Sequence, residues 1–258
     1  MTAPGPALLE VKDLAQHFGG LKAVDNVTLD VREGEIVSVI GPNGAGKTTF
    51  FNVITGVYPG TRGEITFAGH PILGRPSHEI TALGVARTFQ NIRLFSNMTA
   101  LENVMVGRHC RSRQRLLGPL LRLTSFKDEE RRIEQAAKGL LEFVGLLALG
   151  NHLAKNLSYG NQRRLEIARA LATEPRLLIL DEPTAGMNLA ESQGLVQLVR
   201  AVRSRGVTVL LIEHQMRVVM DISDRVIVFD YGVKIAEGSP REVVDDRRVI
   251  EAYLGKGA

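Results

Sequence analysis

The glycine-rich segment GPNGAGKT, residues 41–48, constrains the fold more strongly than any other stretch of the sequence. It matches the pattern G-x-x-x-x-G-K-[ST] in full. The apolar run EIVSVI precedes it, and TTFFNVITG, which has the pattern of a helix that stops near Gly56, follows it. This order of strand, loop and helix predicts an α/β protein that binds phosphate groups at the loop.

The chemistry of this loop suits a nucleoside triphosphate. Glycines let backbone N–H groups turn inward around phosphate oxygens, and the N-terminus of the following helix adds a partial positive charge. We expect Lys47 to reach the β- and γ-phosphates and Thr48 to offer its hydroxyl to Mg²⁺. A glycine-rich turn with an incidental lysine is the alternative, and the flanking strand and helix argue against it. The loop residues predicted to bind ATP are Gly41, Pro42, Asn43, Gly44, Ala45, Gly46, Lys47, Thr48 and Thr49.

A second acidic segment, RLLILDEP at residues 176–183, ends a predicted buried strand. Ligands of open α/β sheets lie beyond the carboxyl ends of the strands, where this segment places Asp181 and Glu182. We expect Asp181 to hold the metal and Glu182 to orient or deprotonate an attacking water. An Asp-Glu pair that simply starts a loop is the alternative, and the phosphate loop favours the functional interpretation.

The first part of the chain has the pattern of several strands followed by helices. LLEVKDLAQHF, VDNVTLDV and EIVSVI are strand-like runs without intervening helices, which predicts an antiparallel sheet at the start. TRGEITFAGH, residues 61–70, adds a further strand pair. From about Ile92 to Asn156 the pattern is helical, so one domain with a helical insertion is expected.

The second part of the chain alternates helices with buried strands. From Ser158 onward, this alternation predicts a mainly parallel sheet covered on both faces. RVIVFD and VKIAEG are predicted to form a hairpin around Tyr231-Gly232. Ser239-Pro240 is expected to start a last helix, with the serine as its cap and the proline in its first turn.

Composition indicates which ligands and which cellular compartment suit the protein. The net charge of +4 suits an anionic ligand, a membrane surface or nucleic acid, with an ordinary solvated surface as the alternative. Aromatic residues make up only 5% with no Trp, which argues against single-stranded nucleic acid, a ligand bound by stacking. No apolar run approaches the ~18 residues of a membrane-spanning helix. Residues 1–6 are expected to be a loose end rather than part of a signal peptide, and the single cysteine, Cys110, fits a reducing compartment. We therefore expect a cytoplasmic protein that another subunit attaches to any membrane at which it works.

Further motifs, together with the phosphate loop, resemble the ABC ATPases. LSYGNQ, residues 157–162, is similar to the family signature LSGGQ, and Ser158 lies 23 positions before Asp181, as in that family. The segment that ends in Asn188 resembles the D-loop, and Phe18 resembles the aromatic residue that stacks on adenine. His214 is similar to the switch histidine, and Gln90 in ARTFQ to the Q-loop glutamine. The motifs follow the order of the family from residue 18 to residue 214.

The resemblance implies an α/β fold of the P-loop NTPase, ABC-ATPase type. Its mainly parallel core sheet carries an antiparallel β subdomain and a helical subdomain, about residues 91–157, inserted in a RecA-like core within one domain, residues 1–258. ATP and Mg²⁺ are the implied cofactors. The implied catalytic residues are Glu182, His214, Lys47 and Gln90, and the implied metal ligands are Thr48, Gln90 and Asp181. Ser158 and Gly160 are implied to close on ATP held by a second subunit, while Ser158 also has the pattern of a helix cap.

Several positions depart from the family pattern. Tyr159 replaces a glycine of LSGGQ, and Asn161 stands where glutamine is usual. The shorter side chain of Asn161 is expected to weaken contact with the nucleotide of the partner. Met187 and Asn188 differ from the common SALD form, and Asn188 with Glu191 has the pattern of a capping box. None of these changes removes a catalytic group.

Within the family, the sequence resembles the ATP-binding subunit of branched-chain amino acid importers. The segments that carry this resemblance are GVARTFQNIRLFSNMTALENVMVG, LSYGNQRRLEIARAL and the ending VIEAYLG. It implies transmembrane permease subunits, a second ABC ATPase subunit (identical or a paralogue) and, indirectly, a periplasmic or extracellular substrate-binding protein, with no nucleic acid. It also implies a peripheral position at the cytoplasmic face of the cell membrane. The ATPase of a lipid or lipopolysaccharide export system and a soluble, non-transport ABC ATPase are the alternatives.

Two surface segments complete the expectations. Residues 91–98, with Ile92, Leu94 and Phe95, follow the Q-loop motif and are expected to dock a short cytoplasmic helix of a membrane subunit. Core packing of these apolar side chains is the alternative. The basic run Arg108–Arg115 is expected to be a solvated loop or helix face.

Overall fold

The computed structural model describes residues 7–111 and 124–254. The predicted loose end at residues 1–6 and residues 112–115 of the basic run lie outside the described residues. The chain forms two compact units: the first contains Met1–Arg87 and Arg176–Ala258, and the second contains Thr88–Pro175. The single domain with a helical subdomain at about 91–157 stays a prediction.

Within its described residues, the first unit contains ten strands and six α-helices. The strands are β1 (Ala7–Phe18), β2 (Leu21–Arg32), β3 (Ile36–Ile40), β4 (Arg62–Phe67), β5 (His70–Pro71), β6 (Val85–Arg87), β7 (Leu177–Asp181), β8 (Thr208–Ile212), β9 (Arg225–Asp230) and β10 (Val233–Gly238). The helices, numbered in chain order with those of the second unit, are α1 (Lys47–Ile54), α2 (Ser77–Leu83), α6 (Leu189–Ser204), α7 (Met216–Ile222), α8 (Pro240–Val244) and α9 (Arg247–Leu254).

An antiparallel sheet in the order β2-β1-β4-β5 forms the first layer of this unit. Exposed and buried residues are interspersed along β1 and β2, as expected of strands with one face toward the core. The predicted strand pair at residues 61–70 is confirmed, because β4 and β5 pair antiparallel. β1 and β2 also pair antiparallel, so the antiparallel sheet predicted at the start of the chain is confirmed for its first two strands.

The second sheet has the order β10-β9-β3-β8-β7-β6, and all its neighbouring strands except β9 and β10 run parallel. This confirms the predicted mainly parallel sheet. The expectation that EIVSVI belongs to the antiparallel sheet is wrong, since β3 pairs in parallel with β8 and β9. All five residues of β3 are buried, and a strand buried on both faces fits a parallel sheet covered by helices.

The end of the chain confirms the predicted hairpin and corrects the predicted last helix. Asp230 pairs with Val233, and the two turn residues, Tyr231 and Gly232, have φ of 44° and 83°, as a tight hairpin turn requires. Ser239 caps α8 in a capping box with Glu242, and a proline occupies the first turn. That helix has only five residues, and α9 follows it as the last described helix.

The second unit is mainly helical. Within its described residues it contains α3 (Ala100–Arg108), α4 (Thr124–Phe143), α5 (Tyr159–Leu171) and the 3₁₀ turns His109–Arg111, Leu147–Leu149 and Ala154–Asn156. Thr99 begins α3 with a capping box to Glu102. Arg108 pairs with Glu174 at 2.5 Å, and Arg111 Nε donates to the carbonyl oxygen of Thr173 at 2.7 Å. These two residues of the basic run are therefore tied to the segment that follows α5.

The helical pattern predicted from about Ile92 is wrong for the first residues of this segment. No helix forms among residues 88–98, because a buried side chain competes for the backbone of this loop. Asn103, which is fully buried, accepts from the N–H of Phe95 at 2.9 Å and donates to the carbonyls of Phe95 and Thr99 at 3.1 and 3.0 Å. The segment is a fixed loop that leads into α3.

Aromatic packing lies directly beneath the phosphate loop in the first unit. Phe50 and Phe51 of α1 and Phe229 of β9 are fully buried, and the rings of Phe50 and Phe229 lie 5.2 Å apart. The helix after the loop is thereby fixed to the parallel sheet. In the part of the chain that the structure describes, no helix combines the length and the apolar character needed to cross a lipid bilayer.

Phe50→Ala is expected to lower the free energy of unfolding by about 3–5 kcal/mol, since it leaves a cavity between α1 and β9. The matched control is Phe18→Ala, because Phe18 is 42% exposed and its removal opens no core cavity. Urea denaturation of both variants, without nucleotide, measures the difference. Equal losses for the two variants would contradict the packing described for Phe50.

Candidate active site

The phosphate loop connects β3 to α1, and close backbone contacts restrict it to glycine at two positions. Gly41, Gly44 and Gly46 have φ of 147°, 80° and 93°, a region that L-residues rarely adopt. A Cβ on Gly41 would collide with the carbonyl oxygen of Phe229, and one on Gly46 with that of Ala23. The predicted loop is therefore held between β2 and the end of β9.

The N-terminus of α1 has the features of an anion-binding site. Its N-cap is Gly46, which provides no side-chain cap, and its first turn contains no acidic residue. By contrast, α3, α6 and α8 each begin with a capping box. Uncapped N–H groups at a helix N-terminus attract phosphate oxygens, and Thr48 is exposed in this first turn.

Lys47 lies inside the loop with only 5% of its surface exposed. Its Nζ donates to the carbonyl oxygens of Gly41 and Pro42 at 2.7 and 2.8 Å. Burial lowers the pKa of Lys47, and the carboxylates of Glu182 and Asp181 oppose this effect. The ammonium is thus fixed at the loop and lies in the field of the two acidic residues.

Asp181 ends β7 and is held by an arginine that the sequence analysis missed. Arg87, the last residue of β6, donates through NH2 to Asp181 Oδ2 at 2.8 Å, and both side chains are at most 5% exposed. Arg87 NH1 also donates to Asn52 Oδ1 at 2.8 Å and Thr55 Oγ1 at 3.1 Å on the α1 side. A charged residue in the apolar run GVARTF is the sequence signal that could have revealed it.

Glu182 and His214 meet at the ends of neighbouring strands. In the parallel pairing of β7 and β8, Asp181 lies opposite Ile212, so the residues that follow are close in space. His214 Nε2 and Glu182 Oε1 are 2.7 Å apart. Glu182 has φ of 47°, a conformation that is uncommon for a residue other than glycine and often occurs at functional sites.

Phe18 lies on the surface of the first unit, and the last helix packs against Ile40, the residue before the phosphate loop. Phe18 is exposed and packs edge-on against Tyr58 with the rings 5.2 Å apart, so the structure places it on the surface rather than in the core. Burial raises the pKa of Tyr253, on α9, and interaction with the backbone of Gly41 partly offsets this effect. Neither tyrosine was singled out by the sequence analysis.

Gln90, Ser158 and Gly160 lie in the second unit. Ser158 caps α5 as predicted, and its Oγ accepts from the N–H of Asn161 at 3.4 Å. The buried guanidinium of Arg163 donates to the backbone carbonyl of Gln90 and to the Tyr159 hydroxyl, the latter at 2.9 Å. Within this unit, the glutamine segment and the start of α5 are thus joined through one arginine.

The oxygen donors present suit Mg²⁺. Among the described residues, no three His, Cys, Asp or Glu side chains form a group that could hold a metal ion by themselves. One carboxylate, Asp181, and one hydroxyl, Thr48, fit an ion that retains waters and completes its shell with substrate phosphates.

A phosphate loop between a buried parallel strand and a helix, with acidic and histidine side chains at the ends of neighbouring strands, defines a P-loop nucleoside triphosphatase. A family model described as ABC transporter matches residues 24–185, and one described as branched-chain amino acid ATP-binding cassette transporter matches residues 233–258. The chain is 49% identical over 250 residues to the high-affinity branched-chain amino acid transport ATP-binding protein BraF of Pseudomonas aeruginosa, covering 96% of this chain and 98% of BraF.

Solved structures agree with this assignment. A nucleotide-free ATP-binding cassette from an ABC transporter has a TM-score of 0.85 and 33% identity, covering 97% of this chain and 100% of that chain. The dimeric, post-hydrolysis state of the cassette MJ0796 bound to ADP and Pi has a TM-score of 0.76 and 28% identity, covering 90% and 99%. The chain belongs to the ATP-binding proteins of the ABC transporter family, which bind and hydrolyse ATP, in the branch of the branched-chain amino acid transport proteins.

Arg87→Met is expected to lower the free energy of unfolding by about 3–5 kcal/mol, since it leaves the Asp181 carboxylate buried without its cation. The double variant Arg87→Met/Asp181→Asn removes both charges and is expected to recover part of that loss. Urea denaturation compares the two. A loss below about 1 kcal/mol in the single variant, as for exposed pairs, would contradict the buried ion pair.

Proposed function

We propose that this chain is the ATP-hydrolysing subunit of an ABC transporter that imports branched-chain amino acids or similar small amphipathic solutes. The observation that carries this proposal is the match, over nearly the whole of both chains, to a protein named for branched-chain amino acid transport. The match of residues 233–258 to the branched-chain family model supports the same substrate class.

The phosphates of ATP are bound by the loop Gly41–Thr49 and by the uncapped N-terminus of α1. Lys47 exchanges its neutral carbonyl partners for phosphate oxygens, which form stronger, charge-assisted hydrogen bonds. Phe18 stacks on the adenine. Thr48 and Asp181 would hold Mg²⁺, which would neutralise charge at the β- and γ-phosphates, and Gln90 stays a metal ligand predicted from the sequence.

The hydrolytic step is assigned to Glu182 and His214. Glu182 orients the attacking water and accepts its proton, since its carboxylate lies beyond the end of β7, where ligands of such sheets bind. His214 holds Glu182 through the 2.7 Å contact of its Nε2, and its other ring nitrogen, Nδ1, is assigned to donate to the γ-phosphate. The contact already exists in this structure, so the pair needs no rearrangement to form.

The complete site is assigned to two subunits. The dimeric state of the cassette MJ0796 bound to ADP and Pi supports a pair of cassettes as the working unit. Ser158 and Gly160, at the N-terminus of α5, bind the ATP held by the other subunit, which is an identical chain or a paralogue. Ser158 keeps its capping bond to α5, so its structural and functional roles coexist.

Membrane permease subunits are the implied partners, and they place the protein peripherally at the cytoplasmic face of the cell membrane. A periplasmic or extracellular substrate-binding protein takes part indirectly. The segment at residues 91–98 provides a docking surface: Phe95 is 47% exposed and Met98 38% exposed. Asn103 bonds the backbone N–H and carbonyl of Phe95, so the backbone that carries this apolar surface is held in place.

Glu182→Gln is expected to bind ATP, fail to hydrolyse it, and accumulate as a dimer. Lys47→Ala serves as the comparison, because it removes charge-assisted contacts of ~1.5–3 kcal/mol each and is expected to lose nucleotide binding as well. Phosphate release and gel filtration with ATP and Mg²⁺ measure these properties. Hydrolysis at the parent rate by either variant would refute the assigned roles, and a monomer only would refute the two-subunit site.

Phe95→Asp is expected to abolish capture of the permease subunits, because it places a charge on the apolar surface. The guanidinium of Arg169 lies 5.7 Å from the ring of Phe95, so the new carboxylate has a cation nearby and the fold is expected to survive. Leu147→Asp is the matched control, since Leu147 is 46% exposed in the same unit. Pull-down from membranes that contain the permease subunits measures capture, and equal capture by both variants would disprove docking at this segment.

A further inference from the structure

Glu213 is a buried carboxylate without a role in the proposed hydrolysis. It directly precedes His214 and is 2% exposed. Its Oε2 accepts from the backbone N–H groups of His214 and Gln215 at 2.9 and 3.2 Å. Its Oε1 accepts from the backbone N–H of Thr184 at 3.1 Å and from the hydroxyl of the same residue. One carboxylate therefore joins the segment after β8 to the segment after β7.

Backbone hydrogen bonding between these two segments stops at Glu182, just before the residue that the Glu213 carboxylate bonds. The last backbone bond runs from the N–H of Glu182 to the carbonyl of Ile212 at 3.0 Å. The next residue, Pro183, has no N–H and cannot continue the ladder. Beyond this point, the Glu213 side chain supplies the connection between the two chain segments, together with a 3.4 Å bond from Gln215 Nε2 to the carbonyl of Thr184.

The residue that this connection supports has an unfavourable backbone conformation. Glu182 has φ of 47°, a strained conformation that persists only where the surroundings enforce it. The Thr184 backbone, two residues further, is anchored by Glu213, while His214 is anchored through its own N–H. The carboxylate of Glu213 thus bonds His214 itself and the backbone two residues after Glu182.

We propose that Glu213 is a positioning residue for hydrolysis: its carboxylate clamps Thr184 to His214 and Gln215, and thereby sets the contact between Glu182 and His214. This inference rests on the proposed roles of Glu182 and His214. The clamp requires an acceptor at every contact. A glutamine of the same shape has one amide nitrogen, which would face N–H or O–H donors in either orientation.

Glu213→Gln is expected to lower kcat about 10- to 100-fold, the range that a small displacement of catalytic groups produces. The affinity for a fluorescent ATP analogue is expected to stay within twofold of the parent, because no residue of the phosphate loop contacts Glu213 in the bonds described. Glu242→Gln is the matched control. Its carboxylate also accepts a backbone N–H, that of Ser239 at 2.7 Å, but at the start of α8, so its kcat is expected to equal that of the parent.

A double-variant cycle separates positioning from general loss of structure. If Glu213 acts through the Glu182–His214 contact, Glu213→Gln is expected to add less than twofold to the loss of kcat caused by His214→Ala, measured in single-turnover reactions. The inference would be overturned if the kcat of the double variant fell by the product of the two single losses. It would also be overturned if folded Glu213→Gln kept the kcat of the parent, or lost nucleotide affinity in parallel with kcat.

Thr184→Val provides a second, milder test should Glu213→Gln fail to fold. It removes the hydroxyl donor but keeps the backbone N–H that Glu213 accepts, so a smaller loss of kcat with unchanged nucleotide affinity is expected. An unchanged kcat in Thr184→Val would then overturn the inference. Failure of the proposed function is recognised separately, because in that case Glu182→Gln itself would retain hydrolysis.

Discussion

The first unit places its chemistry where buried parallel strands end. The strands β3, β8 and β7 are neighbours in this order, and each is buried along its whole length. Polar groups that interact with a ligand can therefore emerge only where a strand stops and its backbone needs new partners. The phosphate loop begins directly after β3, Asp181 closes β7, and His214 follows β8 by two residues. Strand register brings these groups close together, and the contacts between the segments after β7 and β8 then fix their geometry.

The charged groups at the carboxyl ends of these strands each have partners within the protein. Lys47 donates to two backbone carbonyls, Asp181 is paired with Arg87, and Glu213 is held by N–H and hydroxyl groups. A buried charge without such partners would be costly, so each partner both stabilises the fold and orients the charge. Because backbone carbonyls are neutral acceptors, Lys47 can exchange them for phosphate oxygens at a gain in interaction strength. Preorganisation of this kind allows a site to act without rebuilding itself around the ligand.

Much of the fold and the site was readable from the sequence, because local patterns determine those parts. The phosphate loop, the caps at Ser158 and Asn188 and the hairpin at Tyr231-Gly232 all depend on residues within a few positions of each other. The sheet to which β3 belongs was predicted wrongly, since strand pairing is decided by burial on both faces and by distant strands. Arg87 and Glu213 were missed for a related reason: each bridges residues that adjacent strands bring together, and nothing in their immediate sequence gives the partner.

The described part of the segment matched by the branched-chain family model, residues 233–258, packs next to the start of the phosphate loop. Val249 of α9 lies in one cluster with Ile40, the residue before the loop. The turn that precedes β10 adds a bond from the N–H of Gly232 to the carbonyl of Ala45 at 3.1 Å. Since the loop geometry depends on backbone contacts with little free space, the packing of this segment bears on the conformation of the loop. The part of the chain that distinguishes this branch is therefore mechanically joined to the part that it shares with other P-loop proteins.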